Sequence, residues 1–349
     1  MARPPDPTVT LAFAGTGSIA AVHGYAVEHV PGLSITKVAS RDFGRATESA
    51  RRLGAEPCRY DELPAGADGV VICTPPGLHA ELALASVGAG AAVLVEKPLC
   101  TTLADADALV AAERQGARIA YAENLVHAPA VRLALDHAAQ LEGTDVLDVR
   151  ALQARPTWGD FLTPAWGGGV LFDLGVHPLA VALLLAAPAQ PKEVRAELSG
   201  AADHPVDEHA EVHLAFGSGL LARVTASWRD DATPAWDAQV SAPDGVVRLE
   251  LLPEVRLERN GVDVPLPAIP RDVPPQLEEL GYLPQIESFA LDVAHGRVPE
   301  VGAAFGRRVL DVTCAAYASA GAGGAWVPLP FAGPRDRPPI DLWKAPEHP

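Results

Sequence analysis

Basic charge is what this 349-residue sequence has least of: 27 Lys and Arg stand against 44 Asp and Glu, a formal net charge of −17. Nucleic-acid backbones are held by clustered Lys and Arg, so a nucleic-acid partner is not expected. A small anionic ligand is still compatible, because one local Arg outweighs a global field. Lysine is rarer still, with Lys37, Lys97, Lys192 and Lys344 the whole set. The four cysteines, Cys58, Cys73, Cys100 and Cys314, have no C-x-x-C spacing. That excludes a zinc ribbon and a disulfide framework, and predicts free thiols in a reducing cytoplasm with no bound metal. Charges or prolines interrupt every apolar run before membrane-spanning length, and the opening "MARPPDPTVTLAFAG" reads without an apolar leader core. No membrane partner is expected. Internal repeats and low-complexity linkers are likewise absent.

What the chain does have is the composition of a globular protein, 48% apolar and 20% charged, and length for two cores. Short β-like runs alternate with helical patterns through the first third. "TVTLAFAG", "LSITKVAS", "GVVICT", "AAVLVE" and "RIAYAE" read as strands. Stretches 20–30, 43–54, 78–87 and 102–115 read as helices. Such alternation predicts an α/β unit, a doubly wound parallel sheet covered on both faces. After about residue 123 the pattern changes. A helix over 129–140 and a strand in "TDVLDVRALQA" lead to an apolar run at 167–187. Short strands then follow, broken at Gly217-Ser218-Gly219 and Asp244-Gly245. Two helices, near 284–296 and 305–320, close the chain. This half predicts an α+β domain on a large, mostly antiparallel open sheet. The expected division is 1–123 and 124–349.

Gly15-Thr16-Gly17-Ser18-Ile19-Ala20 is a G-x-G-x-x-A pattern between the first strand and the first helix. Gly15 permits the tight turn, Gly17 lets a pyrophosphate approach the backbone, and Ala20 lets helix and strand pack closely. The pattern predicts a dinucleotide site formed by Gly15, Thr16, Gly17, Ser18 and Ile19. The second strand ends in Ser40 and Arg41 before Asp42. Ser40 can donate to a 2′-phosphate, and Arg41 can pair with it while stacking on adenine, with Arg45 a turn further on. That favours NADP. Asp42 keeps NAD open, since an acid there binds ribose hydroxyls.

Two further features carry chemistry. "VLVEKPLC" ends a buried strand in Glu96-Lys97-Pro98, and ligands bind at the carboxyl ends of such strands. An ammonium there can orient a substrate hydroxyl; a lysine snorkelling to solvent is the lesser alternative. "GGGVLFDLGVHPLAVALLLAA" (167–187) sets Asp173 and His177 four residues apart, on one face of any continuous helix. Alone, they also read as a capping acid and a satisfied core histidine.

Taken in order, the glycine turn, "TPPGLH" (74–79), "EKP" (96–98) and the G-G-G…Asp173…His177 block resemble the glucose–fructose oxidoreductase/inositol dehydrogenase family, written Gfo/Idh/MocA. "AAYASAGAGGAWVPLP" (315–330) is similar to that family's closing helix and strand. The resemblance implies an N-terminal Rossmann domain carrying NAD or NADP, and a C-terminal α+β domain through whose sheet the chain forms a dimer or tetramer. It implies hydride transfer between nicotinamide and a secondary alcohol or ketone of a sugar, cyclitol or related molecule. Lys97, Asp173 and His177 match the family's functional lysine, acid and histidine. His177 would carry the proton, Lys97 would stabilise the oxyanion, and Asp173 would organise them. Pro98 matches a position that is often cis. Glu96 would lie near the nicotinamide ribose, and Thr74, Pro75 and His79 would border the cofactor cleft, His79 reading more simply as a first-turn helix residue. Leu125-Val126-His127 departs from the family's polar or basic pattern, leaving Asn124 and His127 to face substrate. Arg155, Trp158, Asp160 and Trp166 would line the pocket, with Trp158 stacking on a sugar face and Arg155 binding a carboxylate. Two other activities fit the same residues: a redox-neutral glycosidase or epimerase with retained NAD, and a non-catalytic dinucleotide sensor.

Overall fold

The computed structural model describes residues 8–157, 159–200, 205–229, 233–269 and 273–344. They fall into two compact units. The first takes Met1–Cys100, Asp105–Asn124 and Pro270–Arg307, and the second takes Thr101–Ala104, Leu125–Ile269 and Arg308–Pro349.

In the first unit, β1 (Val9–Ala14), β2 (Leu33–Ala39), β3 (Glu56–Cys58), β4 (Gly69–Ile72), β5 (Ala92–Glu96) and β6 (Ile119–Ala122) form one parallel sheet in the order 3-2-1-4-5-6. That is the order of a Rossmann fold, with its strand-order reversal between β1 and β4. The strands are nearly all apolar because helices cover both faces. α1 (Ser18–Glu28), α2 (Phe43–Leu53), α3 (His79–Gly88) and α4 (Leu103–Arg114) fill the crossovers. Asp42 caps α2, its Oδ1 accepting from Gly44 N at 2.8 Å and Arg45 N at 3.2 Å, and Gly54 ends it at a left-handed φ of 66°.

The second unit starts with α5 (Pro129–Ala138) and β7 (Val146–Leu152). The run at 167–187 does not make the single helix its composition predicts. It divides into α6 (Val170–Asp173) and α7 (Val176–Leu185), with the segment Pro164–Asp173 bent by 45° from α7. Gly175 sits at the break, where a Cβ would come within 2.7–2.8 Å of Leu171. Pro178, lacking an N–H, cannot bond the Leu174 carbonyl, which takes His177 N at 3.2 Å instead. Asp173 and His177 therefore sit on two helices and do not share one turn.

β8 (Pro191–Ser199), β9 (His209–Phe216), β10 (Leu221–Ser227), β11 (Ala235–Ala242), β12 (Gly245–Leu252), β13 (Arg256–Arg259) and β14 (Val262–Asp263) complete a nine-stranded sheet with β7 and a late strand. Its order is 14-13-12-11-7-10-9-8 and then that strand. Every pair is antiparallel except β7 with β10. Burial alternates along β9 and β10, so one face is covered and the other half-exposed. α7 packs on the covered face, against β7 and β10.

The chain then returns to the first unit. α8 (Pro275–Glu279) and α9 (Tyr282–His295) follow, and Leu283, Ile286, Phe289 and Val293 of α9 join the core formed by Leu11, Phe13 and Val71. The expected division at 123/124 thus misses residues 270–307. α10 (Ala303–Gly321), β15 (Val327–Pro328, paired with β8) and α11 (Pro339–Trp343) end the described chain.

Candidate active site

The glycine turn is built as its spacing predicts. Gly15 has φ +111°, and a Cβ there would lie 2.4 Å from the carbonyl oxygen of Cys73, so only glycine lets β1 turn this close to β4. Gly17 differs, since a Cβ on it would meet nothing within 4 Å. It caps α1 without a side chain, leaving the first N–H groups of the helix directed outward beside Thr16, Ser18 and Ile19. Thr74, just beyond β4, has a buried Oγ1 with no hydrogen-bond partner among the described residues. Open space over Gly17, an uncapped helix start and an orphaned hydroxyl fit a dinucleotide held at this edge.

At the end of β2, Ser40 is half-buried and Arg41 exposed. The register Ala39↔Cys58 brings Arg59 and Tyr60 of the following turn alongside them. Burial pushes the Tyr60 phenol up, opposed by hydrogen bonding to the Arg41 backbone and the Ser40 side chain. The Asp42 carboxylate, the ribose-binding alternative, is engaged at Oδ1 as the cap of α2.

Lys97 is half-buried just past β5, and its peptide bond to Pro98 is cis. Glu96 is buried, with Oε2 accepting from Lys97 N at 2.9 Å and Oε1 lying 2.6 Å from His23 Nε2. Burial alone would raise its pKa. The His23 hydrogen bond and charge, with the charges of Lys97 and His79, outweigh burial and hold the carboxyl below its usual range. The Glu96 carboxylate is thus committed to protein partners. His79, the first residue of α3, is fully buried, with Nδ1 at 2.9 Å from the Pro98 carbonyl and Nε2 at 2.8 Å from that of Thr74. Burial lowers its pKa against those carbonyls. Asn124 is also buried, its Nδ2 donating to the Leu280 carbonyl at 2.7 Å.

In the second unit Asp173 ends α6 and His177 lies in the first turn of α7, both nearly buried. The His177 ring packs on Trp236 of β11, centroids 5.4 Å apart and planes tilted by 33°. The start of α6 is held by Asp207. Its Oδ1 accepts from Gly169 N at 3.1 Å and Tyr317 Oη at 2.6 Å, and its Oδ2 accepts from Leu171 N at 2.9 Å. A Cβ on Gly169 would lie 2.2 Å from the Asp207 carbonyl oxygen, so the third glycine of the triplet serves this approach. Arg155 pairs with the buried carboxylate of Glu208 at 2.7 Å. Trp166 packs edge-on against Phe161. Asp160 is exposed and His127 half-buried, and Trp158 lies outside the described residues. Among the described residues no group of three or more His, Cys, Asp or Glu is arranged to hold a metal ion.

Sequence reasoning missed His23, Trp236, Asp207 and Tyr317. His23 had one usable signal, lying three residues past Ala20 of the glycine pattern and so one helical turn along α1. The other three take their meaning from long-range contacts that no local spacing carries.

Comparison with known proteins agrees with this architecture. Residues 9–123 match the model of the Gfo/Idh/MocA oxidoreductase family's NAD-binding Rossmann fold, and residues 145–248 match the family's C-terminal domain. An uncharacterized oxidoreductase, ORF334, of Rhizobium meliloti is 33% identical over 208 residues, 56% of this chain and 61% of that protein. The chain therefore spans less than two thirds of that relative's length. NADP(+)-dependent D-xylose 1-dehydrogenase 2 of Haloferax volcanii is 29% identical over 82% of this chain and 90% of its own length. The crystal structure of GenD2 from gentamicin A biosynthesis, in complex with NAD, superposes with a TM-score of 0.83. It has 24% identity, over 94% of this chain and 98% of that one. With both domains matched in order, this chain belongs to the Gfo/Idh/MocA family of oxidoreductases.

Proposed function

We propose that the protein is an NAD(P)-dependent dehydrogenase or reductase acting on a secondary alcohol or ketone of a sugar, cyclitol or related small molecule. NADP is the preferred cofactor. The observation that carries the reading is Lys97, held at the carboxyl end of β5 in a Rossmann unit whose glycine turn is open at Gly17. Gly15 to Ile19, Thr74 and Pro75 would hold the dinucleotide, with Ser40 and Arg41 on its 2′-phosphate. When bound, nicotinamide supplies the acceptor or donor of the hydride.

The chain's own residues handle the proton and the charge. Lys97 donates a charge-assisted hydrogen bond to the substrate oxygen and stabilises it as it becomes an alkoxide. His177 takes the hydroxyl proton on oxidation and returns it on reduction, an imidazole being able to act as base and then as acid. Asp173 is assigned to organise the reacting groups. Asn124, Arg155 and Trp166 are assigned to substrate selection. For Asn124 and Arg155 this role is shared with the protein partners already described.

The test is turnover across sugars and cyclitols with each cofactor, read by the near-ultraviolet absorbance of reduced nicotinamide. Lys97→Ala is expected to lower kcat by about 10²–10³, the cost of one oxyanion donor, while NADPH binding persists. Full turnover by Lys97→Ala, or turnover without net NADPH, would overturn the reading.

The protein is further assigned to the cytoplasm, supported by four buried cysteines that form no disulfide among the described residues. A dimer or tetramer through the nine-stranded sheet is also proposed. It is supported by the sheet's half-exposed face, where Arg150 pairs with Asp237 at 2.7 Å and Arg223 pairs with Asp148. Sedimentation of the purified chain as a monomer would remove that assignment.

A further inference from the structure

Glu96, Lys97 and Pro98 are fixed from two sides by two histidines without solvent exposure. His23, on the helix that opens at the glycine turn, meets the Glu96 carboxylate at 2.6 Å, and the other oxygen of that carboxylate accepts from Lys97 N at 2.9 Å. His79, opening α3, meets the Pro98 carbonyl at 2.9 Å through Nδ1 and the Thr74 carbonyl at 2.8 Å through Nε2. The residue before Lys97 and the residue after it are thus each tied to a different helix. An imidazole in a core costs free energy unless its polar atoms are used. His23 Nδ1 has no hydrogen-bond partner among the described residues. Glu96 is therefore the one hydrogen-bonding partner of the His23 ring among the described residues, and core packing alone gives no reason for a histidine at that position.

We propose that His23 and His79 are positioning residues for Lys97. His23 acts through the Glu96 side chain and His79 through the Pro98 carbonyl, so that the glycine-turn helix, α3 and the lysine move as one body. The inference rests on the proposed role of Lys97, and it extends that role to two residues that do not reach substrate. Both ties are geometrically specific. His23 Nε2 faces a carboxylate and must donate. Both nitrogens of His79 face carbonyls, and a neutral imidazole donates from one alone, so the proposal places that proton on Nδ1, towards Pro98. Glutamine reproduces a donor at the Nε2 position, whereas asparagine reproduces one near Nδ1.

The experiment uses the full chain with His23→Gln, His23→Asn, His79→Asn, His79→Gln and Lys97→Ala. With only four lysines in the sequence, acetic anhydride labelling read by mass spectrometry follows Lys97 against Lys37, Lys192 and Lys344 as internal references. The expected ranking reverses between the two positions: Gln preserves at 23 and Asn preserves at 79. The preserving variants keep the wild-type Lys97 labelling rate. The other two raise it about threefold or more as the segment opens locally. They also lower kcat by about tenfold to a hundredfold, the effect of displacing a reacting group by about 1 Å, with substrate KM unchanged. A purely structural role would rank Asn and Gln the same way at both positions, with losses that track Tm, and either result overturns the proposal. Lys97→Ala separates the two ideas. Full turnover by that variant removes the chemical role of Lys97. An inactive Lys97→Ala with no reversal in labelling removes the histidine bracket and leaves the chemical role standing.

Discussion

Asp207→Asn is the substitution whose cost follows most directly from the geometry. The carboxylate receives Gly169 N, Leu171 N and Tyr317 Oη at 2.6–3.1 Å, with no solvent exposure. Asparagine has nearly the same volume, so no cavity complicates the comparison. It offers one acceptor oxygen and turns an NH2 group towards a backbone N–H. If the oxygen keeps Gly169 and Tyr317, Leu171 N is orphaned, at about 1–3 kcal/mol, and two charge-assisted bonds become neutral ones, at about 1 kcal/mol each. Burial returns part of this, because it raises the pKa of Asp207, against the Tyr317, Leu171 and Gly169 hydrogen bonds. The net expectation is a loss of about 2–3 kcal/mol, or roughly 5–10 °C in the melting of a unit this size. The sign with pH follows from the same shift. The folded state holds this proton more tightly than the unfolded chain, so wild-type stability declines as pH rises from the usual carboxyl range through the raised value. Asp207→Asn removes that decline. Circular-dichroism melts of wild type, Asp207→Asn and Tyr317→Phe across pH 4–8 (about the span of the carboxyl limb) measure both effects. Tyr317→Phe should cost less, since it removes one donor of three. An Asp207→Asn protein as stable as wild type at neutral pH would refute the reasoning, showing that the buried charge costs as much as its donors return.

Four other outcomes follow from features of the first unit. Gly15→Ala should fail to fold or melt far earlier, because its Cβ would strike the Cys73 carbonyl at a backbone φ that alanine resists. Gly17→Ala should keep its melting temperature and lose dinucleotide affinity in a NADPH fluorescence titration, since its Cβ enters space that no protein atom fills. Under the proposed NADP preference, Ser40→Asp should move the ratio of kcat/KM for the two cofactors towards NAD by repelling a 2′-phosphate. Glu96→Gln should flatten the acid limb of stability. The carboxyl of Glu96 is held low, so its contribution is present above the usual carboxyl pKa and is lost as pH falls through the folded value. Urea melts at stepped acid pH would show that limb unchanged if the pair contributed nothing.

The Rossmann half was legible because buried parallel strands are continuous apolar runs bounded by turn residues. β1, β2, β4, β5 and β6 lie within a residue or two of the expected ends. β3 escaped because it is three residues long and contains Pro57. β8 escaped because its inward residues, Val194, Ala196 and Leu198, are diluted by charged neighbours on the half-exposed face. The helical period identified α9 but carried no information about which core its apolar face would join. At the site, the glycine turn and the strand-end lysine were visible as local spacing. The break between Asp173 and His177 was not, although Gly175 and Pro178 were its available signals. The His23–Glu96 and Asp207–Tyr317 contacts join residues 73 and 110 positions apart, distances at which a single sequence carries no pairing signal.

The return of α9 to the first core has a consequence for the order of events during synthesis. Leu283, Ile286, Phe289 and Val293 close a hydrophobic layer begun by Leu11 and Phe13. A ribosome that has delivered all six strands of the parallel sheet has therefore not yet delivered what covers them. Until α9 emerges, the nascent sheet carries an uncovered apolar flank while the whole nine-stranded unit is made as an insert in its path. N-terminal-first folding, the usual course for chains of this length, would leave that flank uncovered until α9 is made. An excised 1–123 fragment would expose the surface that residues 282–295 are there to cover.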